Sequence, residues 1–169
     1  MSVIRSLLGR SCQHSITVRD VSTMDIYTAR FGKLEIVDED VILFADGLIG
    51  FESLVNWILL SDEQSEDLGW LQSLEQPEVA LAVVSPRRYA PDYRVRLEKE
   101  EVSPIRLTAD DEVFVLTIVS KHEDSLTVNL RAPVVINLTK QLGRQIVTSD
   151  DQPLQFEIQG GASYYRKSA

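Results

Sequence analysis

The chain has one cysteine, two histidines and no apolar run longer than six residues, and each shortage removes a class of function. Cys12 alone excludes an internal disulfide framework and any thiolate-based zinc cluster. His14 lies in an unpatterned N-terminal stretch and His122 in the charged turn Lys121-His122-Glu123-Asp124, so no histidine spacing suits a metal. A membrane helix needs about 20 apolar residues in a row. The N-terminus offers only Leu7-Leu8 as the core of a secretory signal. The chain also lacks a Gly-x-Ser-x-Gly elbow, a Walker-type phosphate loop and a Gly-x-Gly-x-x-Gly turn after a strand. Carboxylates are so abundant, as at Asp110-Asp111-Glu112, that no pair is marked out for acid–base chemistry. These shortages lead to the expectation of a cytoplasmic protein with no catalytic residues, no metal and no cofactor.

What is present fits one ordinary domain. A chain of 169 residues buries about 70% of its unfolded surface and needs no disulfide or metal to stabilise it. Net charge is −9, divided into +2 over residues 1–24 and −11 over 25–169. Nucleic-acid binding draws most of its affinity from phosphate neutralisation, so a body this acidic argues against direct RNA or DNA contact. It favours a basic protein partner.

Residues 1–24 carry five serines and no hydrophobic period; they read as a flexible arm or as a mis-assigned start, Met24 being the alternative initiator. From Asp25 the chain becomes short apolar runs broken by turn residues. Ile26–Phe31 and Leu34–Ile36 read as a hairpin around Gly32-Lys33. Strands follow at Val41–Phe44, Trp57–Leu60, Trp70–Ser73 and Val79–Val84, with a helical turn over Glu52–Asn56. Arg94–Leu97 alternates like a half-buried strand, Glu98–Glu101 suits a turn or short helix, and Thr108–Asp111 suits a helix start or a loop. Val113–Val119, apolar except for Thr117, reads as a strand buried on both faces. Leu126–Arg131, Val134–Leu138 and Arg144–Val147 complete the set, with Pro133 at a strand start or bulge. Nine to eleven short strands and one or two short helices predict an all-β, mainly antiparallel barrel or sandwich over residues 25–150, followed by a C-terminal tail over 151–169.

One stretch stands apart. In Asp46-Gly47-Leu48-Ile49-Gly50-Phe51, two glycines bracket two large aliphatics where a loop is normally polar. Glycine reaches backbone angles closed to other residues, which predicts a sharp turn. A sharp turn that holds up two aliphatics either caps the core or presents a contact surface. The same Gly-x-x-Gly spacing occurs in the nucleic-acid clamp of KH domains, but that clamp lies between helices and carries basic residues, unlike this one.

These stretches occur in a familiar order. Thr28-x-Arg30-Phe31-Gly32-x-Leu34-Glu35-Ile36 precedes Phe44-x-x-Gly47-Leu48-x-Gly50-Phe51-Glu52. Next come Trp70-Leu71-Gln72-Ser73 with Pro77, and Ser85-Pro86 with Tyr93. Last come Thr127-Val128-Asn129-Leu130-x-Ala132-Pro133-Val134-Val135-Ile136-Asn137 and Gly143-x-Gln145. The series resembles the FliW family of flagellar assembly factors along residues 25–150. The resemblance implies a barrel-like protein without enzymatic activity, monomeric when free. It further implies that the protein binds newly made flagellin in the cytoplasm, also binds CsrA, the RNA-binding repressor of flagellin synthesis, and so couples synthesis to assembly. It marks Leu48, Ile49, Phe51, Trp70, Gln72, Asn129, Asn137 and Gln145 as candidate partner contacts, and Gly47, Gly50 and Pro133 as structural. Ala45 and Ile49 stand where the family usually has proline, and Ser85 where it has aspartate. The resemblance thereby assigns Gly47, Gly50 and Phe51 to fold geometry, Leu48 to the core and Ile49, at a usual proline position, to the surface. A competing reading is a small-molecule or carbohydrate-binding β-barrel, which predicts an interior pocket lined by Trp57, Trp70 and Tyr93.

Overall fold

The structure, a computed structural model, describes residues 2–4 and 22–158. The strands are β1 (Ser2–Val3), β2 (Thr23–Thr28), β3 (Gly32–Val37), β4 (Val41–Leu43), β5 (Asn56–Ser61) and β6 (Leu68–Ser73). They continue with β7 (Ala80–Val84), β8 (Val113–His122), β9 (Ser125–Val128), β10 (Val134–Asn137), β11 (Leu142–Gln145) and β12 (Phe156–Ile158). The one α-helix among the described residues, α1, is a single turn at Lys99–Val102, where Glu98 N–H donates to Glu101 Oε2 at 2.8 Å.

Seven strands close a barrel in the order β10-β11-β4-β5-β6-β7-β8, and β8 returns to β10. Every pairing in this ring is antiparallel except β11–β4, which is parallel. The all-β, mainly antiparallel fold expected from the strand spacing is observed, and of the barrel and the sandwich that the spacing left open it is the barrel. Closure rests on the long β8, whose first half pairs with β10 and whose second half pairs with β9. Between β9 and β10, residues 129–133 form a break with buried Pro133 at its end, and Thr117 Oγ1 donates across it to the Asn129 carbonyl at 2.8 Å.

Alternation along the strands sorts side chains into layers, because successive residues point to opposite faces. Ile42, Trp57, Leu59, Leu71, Val83 and Ile136 fill the barrel interior. The residues between them on β5, β6 and β7, among them Ile58, Leu60, Trp70 and Val84, form an outer layer. The β2–β3 hairpin covers that layer with Ile26, Phe31, Leu34 and Ile36. There Phe31 meets Trp70 edge-on at 5.8 Å, and the Arg30 guanidinium lies 3.8 Å from the Trp70 ring centre. A third, smaller cluster packs Ile105 and Ile146 on Val135.

The structure departs from the sequence reading at several places. Ser2 and Val3 pair with Ser61 and Leu60 of β5, and Thr23 and Met24 open β2, so parts of the supposed arm join sheets. Phe156–Ile158, assigned to the tail, pairs with β9. The rest of both segments, 5–21 and 159–169, lies outside the described residues. Glu52–Asn56 is a turn followed by the start of β5, while of the two readings of Thr108–Asp111 the loop is the one observed, with Asp111 accepting from Thr108 N–H at 2.8 Å. Arg94–Leu97 keeps its alternation of exposed arginines and half-buried Val95 and Leu97, but among the described residues pairs with no strand. Val113–Leu116 is only half-buried instead of enclosed, because β7 meets β8 only at Val83–Ile118 and Val84–Thr117.

Candidate functional site

The glycine loop caps one end of the barrel and presents one side chain to solvent. Phe44, Leu48 and Leu54 are buried beneath it, and Trp57 stands between Phe44 at 6.4 Å and Phe51 at 6.3 Å, edge-on to both. The Trp57 indole N–H donates to the Leu54 carbonyl at 2.9 Å, so the largest core side chain is tied to the loop backbone.

The tip is a four-residue turn. Phe51 N–H donates to the Leu48 carbonyl at 2.7 Å, and Gly50 sits at φ +84°. A positive φ at the third residue defines a type II turn, which makes Ile49 the second residue, the position proline favours. Ile49 uses the amide that proline lacks: its N–H donates to Gln145 Oε1 at 2.9 Å. Gly50 N–H donates to Glu52 Oε1 at 2.8 Å. This bond, the largest influence on Glu52, lowers the pKa of its carboxyl, which stays ionised beside the turn. Asp46 faces Arg144 at 3.5 Å. Leu48 is 1% exposed and Ile49 57% exposed, as the family resemblance led us to expect. The turn holds Ile49 outward on a backbone fixed at both ends, with Asp46 and Glu52 as flanking carboxylates.

Gly143 explains how the loop and β11 meet. A Cβ there would lie 2.2 Å from Phe44 Cζ, so only glycine lets the ring lie against the strand. Gly47 is equally constrained, at φ +66° with the Phe51 carbonyl oxygen 2.6 Å from where a Cβ would stand.

The other candidate contacts divide by burial. Leu48, Trp70, Gln72 and Asn137 are buried and serve internal bonds, which removes their side chains from the surface a partner meets. Trp70 donates to Asp62 at 3.0 Å. Gln72 Nε2 donates to the carbonyls of Ser73, Pro77 and Val79 and shapes the β6–β7 turn. Asn137 donates to the Ile105 carbonyl and to Asp111, itself paired with Lys140 at 2.6 Å. Asn129 accepts from Arg131 and Ala132 N–H and forms the break before β10. Ile49, Phe51 and Gln145 alone are brought together at the loop. Sequence reasoning missed Val147, two residues beyond Gln145 and 60% exposed, and the Asp46–Arg144 pair.

The pocket expected of a ligand-binding barrel is absent among the described residues in the form predicted, since Trp57 and Trp70 are locked in separate layers. A groove of about 840 Å³ lies elsewhere, along the half-open edge of β8, and of the three aromatics only Tyr93 lines it.

Comparison with known proteins bears on the whole described chain. The FliW protein family profile matches residues 25–158. Flagellar assembly factor FliW of Bdellovibrio bacteriovorus is 41% identical over 130 residues, covering 76% of this chain and 74% of the relative. Its counterpart in Caldanaerobacter subterraneus is 33% identical over 134 residues, covering 78% and 89%. The crystal structure of a flagellar assembly factor FliW superposes with a TM-score of 0.75 at 28% identity, covering 79% of this chain and 96% of that one.

Proposed function

Because the chain belongs to the FliW family of flagellar assembly factors, we propose that it acts in the cytoplasm as a binding protein with no catalytic activity, taking up flagellin and the repressor CsrA in alternation. Both partners draw on one limited pool of the protein, so free flagellin controls how much CsrA is sequestered.

The observation that carries this reading is Ile49. An aliphatic side chain 57% exposed on a doubly anchored turn is pre-organised for contact, because little conformational freedom is lost when it is buried. Asp46 and Glu52 beside it, on a body of charge −11, complement a basic RNA-binding protein and speed its association at low salt. Among the described residues no helix is long and apolar enough to cross a membrane.

The test is to mix purified protein with flagellin and with CsrA and follow complexes by size-exclusion chromatography. Each partner should co-elute, and added flagellin should displace CsrA. Failure of both to associate at micromolar concentration would remove the reading.

A further inference from the structure

Among the described residues, strand β8 has an open half. On one edge Val113–Leu116 pairs with β10; on the other, β7 has already turned away at Ser85-Pro86. The facing segment Arg94–Leu97 lines the same groove but forms no ladder with β8. Sheet edges of this kind are normally blunted by lysine, proline or a bulge, because unpaired backbone groups recruit other strands. Here the open stretch reads Val-Phe-Val-Leu and carries none of these devices.

We propose that this edge receives an extended segment of a partner protein, which adds a strand to β8 between Val113 and Leu116 and places a carboxylate against Arg87 and Arg94. The site goes beyond the contact at Ile49 and has the opposite charge preference.

Three observations choose the occupant. Unpaired amides and carbonyls along the edge are satisfied by an extended chain and not by a helix, whose backbone bonds are already made. The apolar lining, including Leu59, Val83, Phe114, Leu116 and Val95, calls for alternating apolar side chains on the incoming strand. Four residues at about 3.4 Å each make a segment of roughly 14 Å, which the 840 Å³ groove accommodates.

The charge at the rim selects further. Arg87 Nε donates to the Tyr93 carbonyl at 3.4 Å, and Arg87 and Arg94 both line the groove and are exposed. Asp67 is neutralised by Arg88 at 2.9 Å, leaving Glu66 as the opposing carboxylate. This positive lip on a strongly acidic body favours a strand flanked by acid, and guanidinium groups hold carboxylates in bidentate pairs. A second copy of this chain is disfavoured as occupant by the repulsion of two chains of net charge −9.

The probe is a fluorescent heptapeptide of alternating valine and threonine with aspartate at its ends. Two controls accompany it: one with lysine ends, and one N-methylated at alternate backbone positions. The aspartate peptide should bind the full chain, with amide shifts at Val113–Leu116. N-methylation, lysine ends and the variant Arg94→Glu should each weaken binding by about tenfold or more. Equal binding of the N-methylated peptide would overturn strand addition, and equal binding of the lysine peptide would overturn the charge preference. No binding by any peptide, or a dimer formed through this edge, would overturn the proposal as a whole. None of these outcomes depends on flagellin or CsrA, so it can fail while the reading at Ile49 stands.

Discussion

The amide of Ile49 donates to Gln145 Oε1 at 2.9 Å across 96 residues of sequence, joining the tip of the glycine loop to the last strand of the barrel. Proline, the residue that this turn position favours, would fix the angle covalently. In this chain a hydrogen bond does the equivalent work from outside the loop.

Ile49→Pro should therefore change stability by less than about 1 kcal/mol, since reduced entropy of the unfolded chain offsets the lost bond. Gln145→Ala should cost about 1 kcal/mol and hasten hydrogen exchange at the Ile49 amide. Urea denaturation and exchange monitored by NMR read both.

Leu48 and Ile49 are adjacent yet should respond in opposite ways to the same substitution. Leu48→Asp places an unpaired carboxylate among Phe44, Leu54 and Trp57 and should cost about 3 kcal/mol or more. Ile49→Asp should alter stability by about 0.5 kcal/mol or less. Equal falls in thermal midpoint would contradict the surface role of Ile49.

The three loop-associated glycines should rank by space as well as angle. Gly50→Ala meets nothing within 4 Å and should cost about 1–2 kcal/mol, from its φ of +84° alone. Gly47→Ala combines φ +66° with backbone atoms at 2.6 Å and should be the most damaging. Gly143→Ala has to displace the Phe44 ring and should cost roughly 1–3 kcal/mol. Chemical denaturation of the three variants gives the order directly.

Asp111 supplies a pH dependence. The Lys140 ammonium, first among its influences, with Thr108 and Asn137, lowers its pKa from 3.8 to about 2. A carboxyl depressed in the folded state adds stability above its unfolded pKa and loses it as pH falls through the folded value. The stability difference between wild type and Asp111→Asn should thus be constant at neutral pH and shrink between about pH 4 and pH 2. A difference unchanged across that window would show that the ion pair contributes nothing.

The strands were legible because alternation is local: in Leu34-Glu35-Ile36 the two apolar residues turn inward and Glu35 stays exposed. Closure was not, since β8–β10 and the parallel β11–β4 contact join segments whose pairing no short pattern encodes. Arg94–Leu97 shows the limit of periodicity, having the alternation of a strand and no neighbour to bond. The glycine spacing marked a sharp turn but left Leu48 and Ile49 undecided; the family resemblance singled out Ile49 as the exposed member of the pair. Trp70, Gln72 and Asn137 were drawn to the surface by motif alone, and a motif does not distinguish residues that hold a turn from residues that meet a partner.

The most direct measurement is a calorimetric titration of CsrA into wild type and Ile49→Asp, with the thermal midpoint of each recorded. The account predicts that wild type binds and that Ile49→Asp loses about tenfold or more in affinity at an unchanged midpoint. Wild-type affinity in Ile49→Asp, or no binding by either protein, would contradict it.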